Sequence, residues 1–178
     1  TREIVPQAPA TLTSALFAGG RLVASYLADA HAVLRVFELD GRAVGTIPLP
    51  GLGSVDALRG HPSDDEIFYS YSSFTTPGAI YRYDVKTGHN SVFRQPALAF
   101  DPADFETSQV FCTSQDGTKV PMFLTHRKGV EPDGHRPVLL YGYGGFNIPM
   151  TPAFSVTAIV WMEMGGVYAV PNLRGGGE

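Results

Sequence analysis

Two stretches of this chain carry the same strand pattern about 44 residues apart, a spacing that few folds can accommodate. Leu22-Val-Ala-Ser-Tyr-Leu27 resembles Ile67-Phe-Tyr-Ser-Tyr-Ser72, and Val36-Phe-Glu-Leu-Asp40 resembles Ile80-Tyr-Arg-Tyr-Asp84. Each pair is followed by a turn, Asp40-Gly41 or Lys86-Thr-Gly88, and then by a further strand-like run, Val44–Leu49 or Ser91–Arg94. Four short strands per repeat at this period are the signature of β-propeller blades. An ordinary β-sandwich is the competing reading of the same pattern. Two blades cannot close a ring, because propellers typically use ~4–8. The remaining blades are therefore expected outside this chain.

Composition narrows the function classes. Of 178 residues, 44% are hydrophobic, enough for a real core, so disorder is not expected. Gly 20 and Pro 14 fit many turns and short strands. A net charge of −4, with no basic stripe, argues against a nucleic-acid partner. No apolar run approaches the ~20 residues of a membrane span, so no membrane partner is expected. The single cysteine, Cys112, rules out an internal disulfide and reads as a small buried hydrophobe on a strand. His31, His61, His89, His126 and His135 are scattered, and none sits at metal-ligand spacing, so neither a metal nor a cofactor is expected. His61, His89 and His135 adjoin Pro or Gly and read as turn residues.

The pattern changes near Gln95–Asp104, where Pro96, Pro102 and two aspartates interrupt the strands. Residues 1–98 are assigned to propeller blades and residues 99–178 to a second unit. In that unit Ser108–Thr113 and Lys119–Lys128 flank Ser114-Gln-Asp-Gly-Thr118, a strong hairpin signal. A polar loop from His126 to His135, with Gly129, Pro132 and Gly134, leads to Val138.

Pro137-Val-Leu-Leu-Tyr-Gly-Tyr-Gly-Gly-Phe-Asn147 reads as a strand covered on both faces that runs into a glycine-rich loop. Gly142, Gly144 and Gly145 allow close approach of backbone to a ligand. Tyr143 places a neutral O–H donor among them, the kind of group that stabilises a developing oxyanion. A plain Tyr-Gly turn is the competing reading of this loop. Thr151 is the expected cap of a following helix, Pro152 suits its first turn, and Gly165–Gly166 stops it. A second apolar strand, within Val167-Tyr-Ala-Val-Pro-Asn-Leu-Arg174, ends in Gly175 to Gly177. Strand, crossover and strand predict a parallel pair with both glycine loops on one edge of the sheet.

Tyr141-Gly-Tyr-Gly-Gly-Phe-Asn147, Met164-Gly-Gly-Val167 and Asn172-Leu-Arg-Gly-Gly-Gly-Glu178 together resemble the prolyl oligopeptidase family of serine peptidases. Asp116-Gly-Thr-Lys-Val-Pro-Met-Phe123 and Pro77-Gly-Ala-Ile-Tyr-Arg-Tyr-Asp84 fit as well. The resemblance is strong from about Ile67 to Glu178 and weaker before it. It implies a two-part fold: all-β propeller blades followed by the first half of an α/β-hydrolase domain. It implies a parent serine peptidase that hydrolyses short proline-containing peptides on the carboxyl side of proline. A cytoplasmic location is expected, with the periplasm as the alternative.

The family's nucleophile sits in a Gly-x-Ser-x-Gly elbow, and no such pattern occurs in the chain. Ser54, Ser91 and Ser155 all lack a glycine two positions earlier. The chain is thus expected to be an internal segment of a larger enzyme, inactive alone and partnered by the remaining fragments of that enzyme. The triad serine, aspartate and histidine are expected beyond Glu178.

The resemblance assigns Tyr143 to the oxyanion hole and Phe146 to the proline-specificity pocket. A flat apolar ring suits a pyrrolidine ring and strands no polar group. Tyr141 reads as a packed strand-end aromatic. Asn147 and Arg174 are loop-ordering candidates, able to bond backbone carbonyls. Two other readings compete. One is a related peptidase: a basic-residue oligopeptidase, a dipeptidyl-peptidase or an acyl-peptide hydrolase. The other is a non-catalytic propeller-type binding module. Phe146 after Gly-Gly favours the proline reading, and Tyr143 with the parallel unit disfavours the module.

Overall fold

The computed structural model describes residues 3–130 and 133–176. The first half forms two four-stranded antiparallel sheets, each a simple up-and-down meander. The first sheet holds β1 (Thr11–Ala18), β2 (Arg21–Ala28), β3 (His31–Glu38) and β4 (Ala43–Ile47). The second holds β5 (Ser54–Gly60), β6 (Glu66–Ser72), β7 (Ala79–Asp84) and β8 (Asn90–Arg94). The repeat is therefore a repeat of blades.

Local chemistry explains the turns. Gly19 and Gly20, between paired Ala18 and Arg21, both take positive φ, as the tightest hairpin turns require. Asp84 ends β7, and its carboxylate accepts the N–H groups of Lys86 and Thr87 to form the turn into β8. Period-2 alternation buries one face of each blade against the other. Val23, Leu34 and Val36 of the first blade share a core with Ile67, Tyr69 and Tyr71 of the second.

The second half is a mixed sheet of β9 (Phe105–Thr113), β10 (Lys119–Arg127), β11 (Val138–Leu140) and β12 (Val167–Pro171). Spatial order is β11-β12-β10-β9. The β9–β10 hairpin forms the antiparallel edge, and β11 runs parallel to β12 across α1 (Val156–Glu163). Ile159 and Met162 of α1 pack with Phe105. The helix stops where Met164 leads into Gly165, at φ +90. Gly166 follows because any side chain there would overlap the Trp161 indole, which folds back to donate to Val167 O at 3.0 Å.

Four expectations are corrected. Ser155, not Thr151, caps α1, accepting the N–H of Ala158. Pro152 is fully buried and its carbonyl accepts the Ser54 hydroxyl, so tertiary contact holds it ahead of the helix. Val138, Leu139 and Leu140 are exposed rather than covered; among the described residues β11 is an edge strand, paired on one side with β12. Cys112 is also exposed, on the opposite edge strand β9, beside exposed Val110 and Phe111. Pro132 of the polar loop lies outside the described residues.

The blades meet the mixed sheet through an aromatic seam. Phe74, after β6, packs against Phe123 and Tyr168 with ring centroids 5.5 and 5.7 Å away. Ala30 and Val170 complete that cluster.

Candidate functional site

The two glycine loops lie side by side at the carboxyl ends of β11 and β12, where parallel sheets collect ligands. Tyr143 forms a parallel bridge with Asn172, extending the strand pairing by one step into the loops. Beyond it the two backbones touch. A side chain at Gly144 would lie 2.7 Å from Arg174 O, and one at Gly176 would lie 2.7 Å from Ile148 O. Asn147 N donates to Gly175 O at 3.1 Å, and Ile148 N donates to Gly145 O at 3.2 Å. Gly144 and Gly176 are thus needed for loop-to-loop packing rather than for approach to a ligand. Gly177 and Glu178 lie outside the described residues.

This packing leaves two rings free. Tyr143 is 39% exposed, and its hydroxyl has no hydrogen-bond partner among the described residues. Phe146 is 89% exposed and sits at φ +53, the left-handed region, followed by Asn147 at φ +58. A bulky residue held there is strained by roughly 1–2 kcal/mol, and such strain concentrates at functional positions. The strain is imposed by the clamped loop, since Phe146 has little packing of its own.

The ordering groups differ from those expected. Tyr141 is 53% exposed and not packed, because the edge strand it ends has no cover on that side among the described residues. Asn147 acts through its backbone N–H, as given above. Among the described residues Arg174 bonds no carbonyl of this loop; it pairs with the carboxylate of Asp116, in the β9–β10 turn. Asp116 is held down to about 2, chiefly by the N–H of Thr118 and then by Arg174.

Asn172 was not anticipated. It is 3% exposed; its backbone N–H donates to Pro121 O at 2.9 Å and its side-chain oxygen accepts Met150 N–H at 2.8 Å. The sequence marks it only as the first residue of the Asn172–Glu178 motif, a polar group that follows an apolar strand just before the glycines, with no role attached. Ser54 fixes the next part of the loop by donating to Pro152 O at 2.7 Å.

A cavity of about 390 Å³ lies at the seam between the first blade and β10, and its walls include Asp29, Arg35, Lys119 and Asn172. Among the described residues no cluster of three His, Cys, Asp or Glu side chains could hold a metal ion. Likewise, no helix among them is long and apolar enough to cross a membrane.

A family model described as the prolyl oligopeptidase N-terminal β-propeller domain matches residues 1–96. The chain is 44% identical over 160 residues to a prolyl endopeptidase of Elizabethkingia meningoseptica, covering 90% of this chain and 23% of that protein. It is 40% identical over 174 residues to a prolyl oligopeptidase of Omphalotus olearius, covering 94% of this chain and 23% of that protein. Among solved structures, one from a study of two prolyl endopeptidases aligns with TM-score 0.86 and 46% identity, covering 99% of this chain and 26% of that one. Prolyl oligopeptidase B of Galerina marginata, bound to a 25mer macrocyclization substrate, aligns with TM-score 0.86 and 32% identity, covering 99% of this chain and 25% of that one. The chain therefore spans about a quarter of the length of the relatives it matches.

Proposed function

The chain belongs to the prolyl oligopeptidase family, and from that premise we propose that it is a segment of a serine peptidase that hydrolyses short peptides on the carboxyl side of proline. Residues 1–98 are read as the last blades of the propeller, and residues 99–178 as the N-terminal part of an α/β-hydrolase domain. The mixed sheet with its parallel β11–α1–β12 unit supports that second assignment.

The observation that carries the reading is the clamped loop that presents a half-exposed Tyr143, whose hydroxyl has no partner among the described residues, together with a strained, exposed Phe146. In acyl transfer the scissile carbonyl oxygen gains negative charge as the nucleophile attacks. A donor already aimed at that position stabilises the transition state without reorganisation. Tyr143 O–H is that donor in this account. Phe146 supplies an apolar face for the proline ring of the substrate. The elbow serine, which the chain lacks, and its histidine and aspartate partners come from the remainder of the same enzyme. The chain alone is expected to leave peptides intact. A cytoplasmic location accompanies the reading, with the periplasm as the alternative that cell fractionation would decide.

The test uses the full-length protein that carries this segment. Peptide reporters with proline, lysine or arginine before the scissile bond are compared, alongside N-terminal dipeptide and acyl-peptide reporters. The account expects kcat/KM to be highest for internal proline. A preference for any other reporter replaces it with a related peptidase, and turnover of none leaves a binding module.

A further inference from the structure

We propose that Asn172 is the positioning residue for Tyr143, an inference that rests on the oxyanion role given to Tyr143 above. One residue closes both ends of the loop. Asn172 bridges to Tyr143 through its backbone, and its side-chain oxygen accepts the N–H of Met150. Its own N–H is tied to Pro121 O in the middle of the sheet, so the closure is referenced to a rigid strand. The side chain is 3% exposed, and water does not readily replace it as the acceptor.

Between these two ties no hydrogen bond among the described residues joins the loop to a strand of the sheet. Of its other backbone bonds, Asn147 N to Gly175 O joins it to the second glycine loop, and Ile148 N to Gly145 O closes a turn within it. Losing the Met150 tie lengthens the untethered stretch from Met150 to Pro152, where the Ser54 bond next holds it, and lets Tyr143 drift. A displacement of about 1 Å at a catalytic group can cost on the order of 10²-fold in rate. Because the tyrosine bond tightens mainly in the transition state, the loss falls on kcat more than on KM.

Three variants of the full-length protein test this: Asn172→Ala, Asn172→Asp and Asn172→Ala combined with Tyr143→Phe. Asn172→Ala is expected to lower kcat by about 10-fold with KM changed less than about twofold. Asn172→Asp keeps an acceptor of the same shape, in a cavity that also holds Arg35 and Lys119, and should recover most of the lost kcat. With the Tyr143 hydroxyl already removed, Asn172→Ala should cost less than about twofold more, since residues acting as one unit are not additive. Full additivity, or a loss confined to KM, overturns the proposal.

Hydrogen exchange at the Met150 amide gives a reading independent of turnover. Asn172→Ala should abolish its protection and Asn172→Asp should keep it; unchanged protection in Asn172→Ala overturns the anchoring. If the unaltered protein cleaves no proline reporter, the proposed function fails. The positioning role toward Tyr143 then fails with it, whatever exchange shows of the anchor.

Discussion

Ser54, the first residue of β5 in the second blade, donates its hydroxyl to the carbonyl of Pro152 at 2.7 Å. A propeller blade thereby holds the segment between the Tyr143 loop and helix α1 directly. Ser54→Ala removes a partly buried bond worth about 0.5–1.5 kcal/mol. In a chain of this size that is a fall of a few degrees in Tm, roughly 2–4 °C per kcal/mol. Thermal unfolding checks it, and an unchanged Tm would show that the tie is not formed in solution.

Asp116 and Arg174 join the hairpin turn to the second glycine loop, and their pairing depends on pH. The Asp116 carboxyl is depressed from 3.8 to about 2, first by the Thr118 N–H and then by Arg174. A folded value below the unfolded one means the contribution is complete above about pH 4 and is lost as pH falls through about 2. Asp116→Asn should remove the part of the acid dependence that belongs to this group. Carboxyl chemical shifts followed from pH 5 downward by NMR would read it. An Asp116 midpoint near 3.8 would contradict the assignment.

Phe146 carries backbone strain without compensating burial. Phe146→Gly relieves a left-handed conformation costing about 1–2 kcal/mol, partly offset by the added freedom of glycine in the unfolded chain, about 0.5–1 kcal/mol. Stability should stay level or rise by up to about 1 kcal/mol. At the same time KM for proline reporters should rise in the full-length enzyme, because the ring that meets proline is gone. Denaturant unfolding and steady-state kinetics on one variant separate the two effects. A clear loss of stability would show that the ring packs in solution.

The sequence signals were strongest where chemistry is local. β2, β3, β6 and β7 follow from the strand pattern repeated about 44 residues apart, and the β9–β10 hairpin from Asp116-Gly117. The first strand of each blade was not singled out, for two reasons. Nearly all of β1 is exposed, so its apolar pattern is weak. In β5 the register slips between Asp56 and Arg59, with Ala57 at φ +52, which breaks the period. Thr151-Pro152 carries a strong helix-start signal, but burial of Pro152 and its bond to Ser54 overrode it. The apolar run Val138–Leu140 revealed a strand but not which neighbours cover it. Tyr143 and Phe146 stand out as candidates because two aromatic rings lie among the glycines of the motif that carries the family resemblance. Asn172 does not, because its work is done by one acceptor bond to a residue far along the chain.

The second blade also contains a tyrosine cluster that is expected to set its alkaline limit. Tyr69 stacks on Tyr81 at 5.3 Å, and burial pushes Tyr69 and Tyr71 up to about 12. Folded values above the unfolded 10 favour the fold fully below pH 10, and the advantage is lost as pH rises from 10 through 12. Unfolding should therefore set in above pH 10. Tyrosinate absorbance, followed with circular dichroism, should show these tyrosines ionising together with loss of β structure. Ionisation near pH 10 with the fold intact would show that the cluster is open to water.

The central claim is that the Tyr143 hydroxyl stabilises an oxyanion. Its most direct measurement is kcat of Tyr143→Phe in the full-length enzyme, under conditions where chemistry limits the rate. Phe keeps the ring and its contacts, so folding should be retained. The account expects kcat to fall by about 10²–10³, the usual effect of losing one such donor, with KM little changed. An unchanged kcat in a folded Tyr143→Phe enzyme would contradict it and leave Tyr143 as an aromatic of the loop.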